Sequence, residues 1–252
     1  MKIAVCLSGQ TRTFDYCVES IKSFFKDCDF FCHTYNYNSY HEAGVKPIHD
    51  IWREDIIKLI KENLKPKKLK VETREQTTKM FETMGWDKAE ESLNNYSMYH
   101  SIIESYDYDF SDYDIVVKSR YDLIHKPNTT IYDFIPNNTG YNFFLNDFID
   151  EENEFACNDA QWITDSKTAK IIYNFKEITN KKFITNKVFL DYLLSNNVQT
   201  KIIEQSWELV RPRFTKLESN WEKLFKLYHH ILKDDPYTLP GKSVEYFKRN
   251  SV

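Results

Sequence analysis

The chain has 252 residues, of which 41% are hydrophobic, 16% aromatic and 29% charged, with 17 Tyr and 18 Phe. That composition supports one sizeable core and, with a mean hydropathy of −0.61, excludes a disordered tail and a membrane protein. The net charge of −4 and pI near 6.0 give no general attraction to nucleic acid or an anionic leaflet, so an anionic ligand must be held by local groups.

The glycine count removes whole function classes. There are five, at Gly9, Gly44, Gly85, Gly140 and Gly241, none close to another. A Rossmann fingerprint, a Walker A loop and a nucleophile elbow each need two or more within a few residues, so all three are excluded in their usual forms. His41-Glu42 lacks a second histidine four positions after the first, which excludes a zincin metalloprotease. The cysteines, Cys6, Cys17, Cys28, Cys32 and Cys157, are odd in number and sit mostly in apolar segments, as buried free thiols do. Cys28-x3-Cys32-His33 offers half of a zinc site, but no matching pair follows. No secretory h-region and no apolar run of about 20 residues occurs, so a cytoplasmic protein without a transmembrane segment is expected.

In chain order, residues 3–7 form a continuous apolar run of buried-strand type. A polar turn over 8–13 leads to a helix over 15–26, with Cys17, Val18, Ile21, Phe24 and Phe25 on one face. A strand is expected over 29–35, a helix over 50–64 closed by Pro66, a weak strand over 69–73 and a long helix over 89–106. Residues 106–113 read as an exposed acidic loop, and 65–70, with four lysines, as a solvated edge. The clearest strand spans 113–119 and runs into Arg120-Tyr121-Asp122. Further strands are expected at 141–145, 161–164, 199–203 and 209–214, with helices over 166–178, 184–195 and 219–232. His229-His230 reads as the edge of that last helix, and residues 233–252 as a tail without periodicity. Strands joined through helices predict an α/β fold, a mostly parallel central sheet flanked by helices, with ligands at the carboxyl ends of its strands.

Three polar clusters fall at those ends, over 8–13, 33–38 and 120–122, and a further polar pair, Asn158-Asp159, opens the strand expected at 161–164. Ser8-Gly9-Gln10-Thr11-Arg12-Thr13 joins backbone amides, a helix N-terminus and an arginine into a cradle suited to a diphosphate; the plain alternative is a polar turn with a cap. Arg120-x-Asp122 offers a carboxylate for Mg²⁺ or Mn²⁺ beside a guanidinium for phosphate, or else a structural ion pair. Asn158-Asp159 offers a general base or a sugar anchor, or else an Asx turn.

Together these segments resemble a family. Ile3 through Phe14 with its SGQTRTF loop, Asp29-Phe30-Phe31-Cys32-His33-Thr34-Tyr35, and Tyr113 through Leu123 with its SRYD ending are similar, in the same order, to GT-A type glycosyltransferase-like proteins of bacteria, phages and large viruses. The resemblance covers roughly residues 1–165 and implies a single GT-A-like domain over 1–232, with a nucleotide-binding half (1–125) and an acceptor half (126–232). It further implies that Ser8, Gly9, Gln10, Thr11, Arg12, Thr13, His33 and Tyr35 contact the nucleotide. Arg120 and Asp122 stand at the family's metal motif, Asp122 holding Mn²⁺ or Mg²⁺ and Arg120 acting on the phosphates, with Asp159 on the sugar and acceptor side. The family's motif is Asp-x-Asp, and Arg120 replaces its first carboxylate. The expected activity is transfer of a sugar from a nucleotide-diphosphate donor, such as a UDP- or GDP-sugar, to a glycan or polysaccharide acceptor. The runner-up activity is a sugar-phosphate nucleotidyltransferase, against which the lone Gly9 speaks. A nucleotide-sugar or glycan-binding protein without turnover is the non-enzyme alternative.

Overall fold

The computed structural model describes residues 1–41, 47–52, 54–83, 90–135, 142–145, 148–151, 154–157, 160–179, 186–203 and 206–209. The elements, in order, are β1 (Ile3–Ser8), α1 (Phe14–Phe24), β2 (Asp29–Tyr35), β3 (Tyr37–His41), β4 (Pro47–Trp52), α2 (Glu54–Leu64), β5 (Lys68–Glu72), α3 (Arg74–Thr83), α4 (Glu90–Ser105), β6 (Ile115–Arg120), β7 (Leu123–His125), β8 (Phe143–Leu145), β9 (Phe148–Glu151), β10 (Glu154–Cys157), β11 (Trp162–Thr164), α5 (Ser166–Asn174), α6 (Lys176–Thr179), α7 (Asn186–Ser195), β12 (Thr200–Ile202) and β13 (Trp207–Leu209).

A seven-stranded sheet in the order β12-β8-β11-β6-β1-β2-β5 forms the centre. Its strands run parallel except β11, which is antiparallel to both β6 and β8. This is the expected α/β architecture, and β1 lies inside it because every one of its six residues is buried. Alternation along β1 divides the core: Ile3, Val5 and Leu7 join Phe14, Cys17, Val18, Ile21 and Phe24 of α1. Ala4 and Cys6 face the other way, with Tyr99, Ile102 and Ile103 of α4, Ile172 of α5 and Phe189 of α7. Helices therefore cover both faces, and each large side chain removed from water there contributes about 1.5–3 kcal/mol. Cys6, Cys17 and Cys32 are buried free thiols, as expected, and the side chain of Cys157 lies outside the described residues. Burial raises the Cys32 thiol to about 12, which keeps it protonated and inert.

Several expectations shift. The helix expected over 50–64 begins only at Glu54, because Pro47–Trp52 pairs antiparallel with Tyr37–His41. Ile51 and Trp52 are in phase with Ile56 and Ile57, which extended the helical pattern falsely, whereas the backbone places Tyr37 in register with Trp52 and Asn38 with Ile51. Helix α3 and the β9–β10 hairpin were not expected; α3 is announced by a capping box in which Thr73 Oγ1 accepts from the Gln76 amide at 3.2 Å and Gln76 Oε1 from the Thr73 amide at 2.8 Å. The loop over 106–113 is not simply exposed: Tyr106, Phe110 and Tyr113 are core residues, and the Tyr106 hydroxyl accepts from Trp162 Nε1 at 2.8 Å. Residues 65–70 do border the sheet, since β5 is its edge strand; Lys67, Lys68 and Lys70 are paired with Asp29, Asp107 and Glu72 and discourage further strand pairing. The helix expected over 219–232, His229-His230 and the tail lie outside the described residues. Among the described residues no helix is long and apolar enough to cross a membrane.

Candidate functional site

The carboxyl ends of three adjacent strands define the site. Ser8 of β1 is in register with His33 of β2 on one side and Arg120 of β6 on the other, so the three expected clusters share one row. Past Ser8 the chain turns at Gly9, whose φ of +106° is open to glycine at no steric cost. The turn is fixed from below: the Gly9 amide donates to Ser101 Oγ on α4 at 2.7 Å, and Thr34 Oγ1 donates to the Gly9 carbonyl at 2.9 Å. Ser8, Thr11 and Thr13 are buried, while Gly9, Gln10 and Arg12 remain partly open. Of the expected cradle, these last three are the residues a ligand reaches without rearrangement.

Asp122 sits at the end of β6 with 1% of its surface exposed. Its Oδ1 accepts from Arg120 Nε at 2.8 Å and its Oδ2 from Arg120 Nη2 at 3.0 Å, a two-pronged pair. Arg12 Nη1 approaches Oδ2 from the first loop at 3.6 Å. One buried carboxylate thus orients two guanidinium groups, one from the first loop and one from the end of β6. The geometry does not fit Asp122 as a ready ligand for Mn²⁺ or Mg²⁺: both oxygens are taken, and an incoming dication would meet two positive groups. The same geometry suits phosphate oxygens, which the two arginines can receive.

His33 and Tyr35 face inward. The His33 ring is fully buried, with Nδ1 at 2.7 Å from Ser101 Oγ, and the Tyr35 hydroxyl donates to the Ser97 carbonyl at 2.7 Å. His33 braces the first loop through Ser101, Tyr35 ties β2 to α4, and neither lines an open surface. Glu72 of β5 accepts from His100 Nε2 at 2.9 Å and lies 3.6 Å from His33 Nε2, while Lys70 holds its other oxygen at 2.9 Å. Burial alone would raise the Glu72 carboxyl, but His100 and His33 beside it bring it well below the usual range.

Asp159 and Asn158 lie outside the described residues. The segment that follows is anchored: Lys118, buried on β6, donates to the Ala160 carbonyl at 3.2 Å and lies 5.1 Å from the Trp162 ring centroid. Asp165 is occupied as the cap of α5, accepting from the Thr168 amide at 2.7 Å. Ser101, Glu72 and His100 went unread in the sequence. Ser97, Ser101 and Ser105 recur every fourth residue inside an apolar helix pattern, and that spacing is a legible sign of a close approach to the sheet. A groove of about 590 Å³ is lined by Asn36, Ile57, Lys58, Lys61, Glu62 and Val71, of which Asn36 falls in the expected 33–38 cluster.

No family model and no curated protein sequence matches the chain. Among solved structures, the chain is similar to the galactosyltransferase LgtC in complex with donor and acceptor sugar analogs, at 11% identity and a TM-score of 0.49, over 91% of this chain and 96% of that one. It is similar to a glycosyltransferase involved in glycosylation of the major capsid of PBCV-1, at 10% identity and 0.42, over 81% and 82%. It is similar also to the inositol-1-phosphate CTP transferase from T. maritima, at 11% identity and 0.42, over 92% and 97%. With TM-scores below 0.5 and identities this low, these likenesses say nothing of what this chain acts on.

Proposed function

We propose that the chain is a GT-A-like glycosyltransferase that moves a sugar from a nucleotide-diphosphate donor to a glycan acceptor. The observation that carries the reading is the convergence of Arg12 and Arg120 on Asp122 at the carboxyl ends of β1 and β6, beside the Gly9 turn and the start of α1. In this reading the acceptor hydroxyl attacks the anomeric carbon and the bond to the diphosphate breaks with its electron pair. The two arginines stabilise the charge that develops on the departing diphosphate, an effect largest in the transition state. Asp122 acts through them, as a positioning residue. Asp159, next to the segment that Lys118 anchors, is assigned the acceptor's proton.

The test is a melting-temperature panel of nucleoside diphosphates, each with Mn²⁺ and with EDTA, because a ligand of the folded state alone raises stability by RT ln(1 + [L]/Kd). Uridine or guanosine diphosphate is expected to stabilise the chain, largely without a metal requirement. No shift with any diphosphate at millimolar concentration would remove the reading. Donor binding without hydrolysis or transfer would instead favour a binding protein.

A further inference from the structure

We propose that His33, Glu72 and His100 form a binding site for one transition-metal dication of zinc type, a site that does not depend on the nucleotide reading. The three residues come from β2, β5 and α4, and their ligand-type atoms all lie within 4.8 Å of one another. His33 Nε2 is 3.6 Å and His100 Nε2 is 2.9 Å from the same oxygen, Glu72 Oε2. Ligands at bond lengths of about 2.0–2.2 Å around a tetrahedral zinc stand roughly 3.3–3.5 Å apart, so small side-chain shifts bring this set onto a metal.

The second observation is the state of His33 Nε2. It is fully buried and has no hydrogen-bond partner among the described residues, although it points toward a carboxylate oxygen. The other ring nitrogen explains how that lone pair comes to face the cluster. Ser101 Oγ accepts from the Gly9 amide and lies 2.7 Å from His33 Nδ1, and the tautomer assigned is the one in which Nδ1–H donates to that hydroxyl. Nε2 then carries the lone pair, facing Glu72. In that tautomer two lone pairs meet in a buried place, and a cation between them satisfies both.

The surroundings are those of a metal site. Ser101 orients one imidazole, and Lys70 holds Glu72 Oε1 at 2.9 Å, leaving Oε2 as the single carboxylate ligand. Lys70 also pairs with Glu104 at 2.6 Å, so the two carboxylates and one ammonium leave the cluster with a net negative charge. Glu72 and His100 keep a narrow solvent edge, 11% and 13% of their side chains, through which the ion and a fourth, water ligand can enter. Two imidazoles and one carboxylate select Zn²⁺ over Mg²⁺ or Mn²⁺, which prefer all-oxygen sets.

The test uses the full chain, stripped with chelator and titrated with Zn²⁺, Mn²⁺ or Mg²⁺ by calorimetry and with Co²⁺ by visible absorption. One equivalent of Zn²⁺ is expected to bind, with millimolar Mg²⁺ failing to compete, and Co²⁺ should give intense tetrahedral bands without thiolate charge transfer. His100→Ala and Glu72→Gln should each weaken binding; because changes beyond the ligands cost 10–100-fold, loss of a ligand should exceed about 100-fold. Circular dichroism of the metal-free variants reports whether they are folded. The Co²⁺ spectrum of the parent is a readout that needs no variant. Absence of stoichiometric Zn²⁺ binding by the folded parent, octahedral or thiolate-type Co²⁺ spectra, or affinity unchanged in both folded variants would each overturn the site and leave a proton-bridged His–Glu–His cluster.

Discussion

Asp122 holds one negative charge against two guanidinium groups, and its removal separates structural from ligand-borne compensation. Asp122→Asn removes the buried carboxylate that Arg120, only 13% exposed, holds in a two-pronged pair, and is expected to cost about 3 kcal/mol. Inorganic pyrophosphate should restore more of the lost melting temperature in the variant than it adds to the parent. Equal shifts in both proteins would count against the arginines as phosphate ligands. Arg12→Ala, by contrast, touches a partly open loop residue and should weaken diphosphate binding about tenfold or more while leaving the melting temperature within a few degrees, as charge-assisted bonds rather than packing are lost. Gly9→Ala meets no atom within 4 Å, so its cost, about 1–2 kcal/mol, comes from the positive φ alone and should be read in denaturant titrations of the ligand-free chain.

Helix α4 ties the first loop to β2 through a single hydroxyl, Ser101 Oγ, which serves both the Gly9 amide and the His33 ring. Ser101→Ala deprives two inward-facing groups at once and is expected to destabilise by roughly 2–6 kcal/mol, at about 1–3 kcal/mol for each unsatisfied group. Hydrogen exchange at Gly9 should accelerate in that variant; an unchanged rate would mean the loop is held by Thr34 alone. At this scale the sequence was legible where one signal dominated. The run from Ile3 to Leu7, the helical face of α1 and the strand through Val116 and Val117 all stand as read. Where two periodicities overlapped, as at Ile51 and Trp52, the hairpin was hidden behind a helix pattern. The His33, Glu72 and His100 cluster could not be read from spacing, because parallel strands bring together residues whose separation in the chain is set by crossover lengths and not by any motif.

Across the whole molecule, buried histidines and lowered carboxyls set the response to acid. Burial pulls the His125 ring, stacked on Phe24 with ring centroids at 4.1 Å, down to about 3, and burial also lowers His33. An unfolded histidine titrates near 6.5, so the unfolded chain binds more protons between about 6.5 and 3. Stability from these rings is complete above that window and is lost as pH falls through it. Asp29, kept low by Lys67 and Tyr113 against its own burial, and Asp107, kept low by Lys68, act in the same direction below the usual carboxyl range. Melting temperature is therefore expected to fall steadily from pH 7 to pH 4, and His125→Phe, which keeps a ring against Phe24, should flatten the upper part of that slope. A parent whose melting temperature is level between pH 7 and pH 5 would contradict a neutral, buried His125.

The position of β1 has a consequence for synthesis. Its residues pair early with β2, but its other edge waits for β6, where Ile3 meets Ile115 and Ser8 meets Arg120. At ribosomal speeds of 5–20 residues per second, this fully buried strand keeps an open hydrogen-bonding edge for on the order of ten seconds. During that time it is a template for any neighbouring extended chain, and holdase chaperones or slowed initiation should raise the soluble yield. Fragments that stop before residue 115 carry the open edge permanently, and they belong in the insoluble fraction.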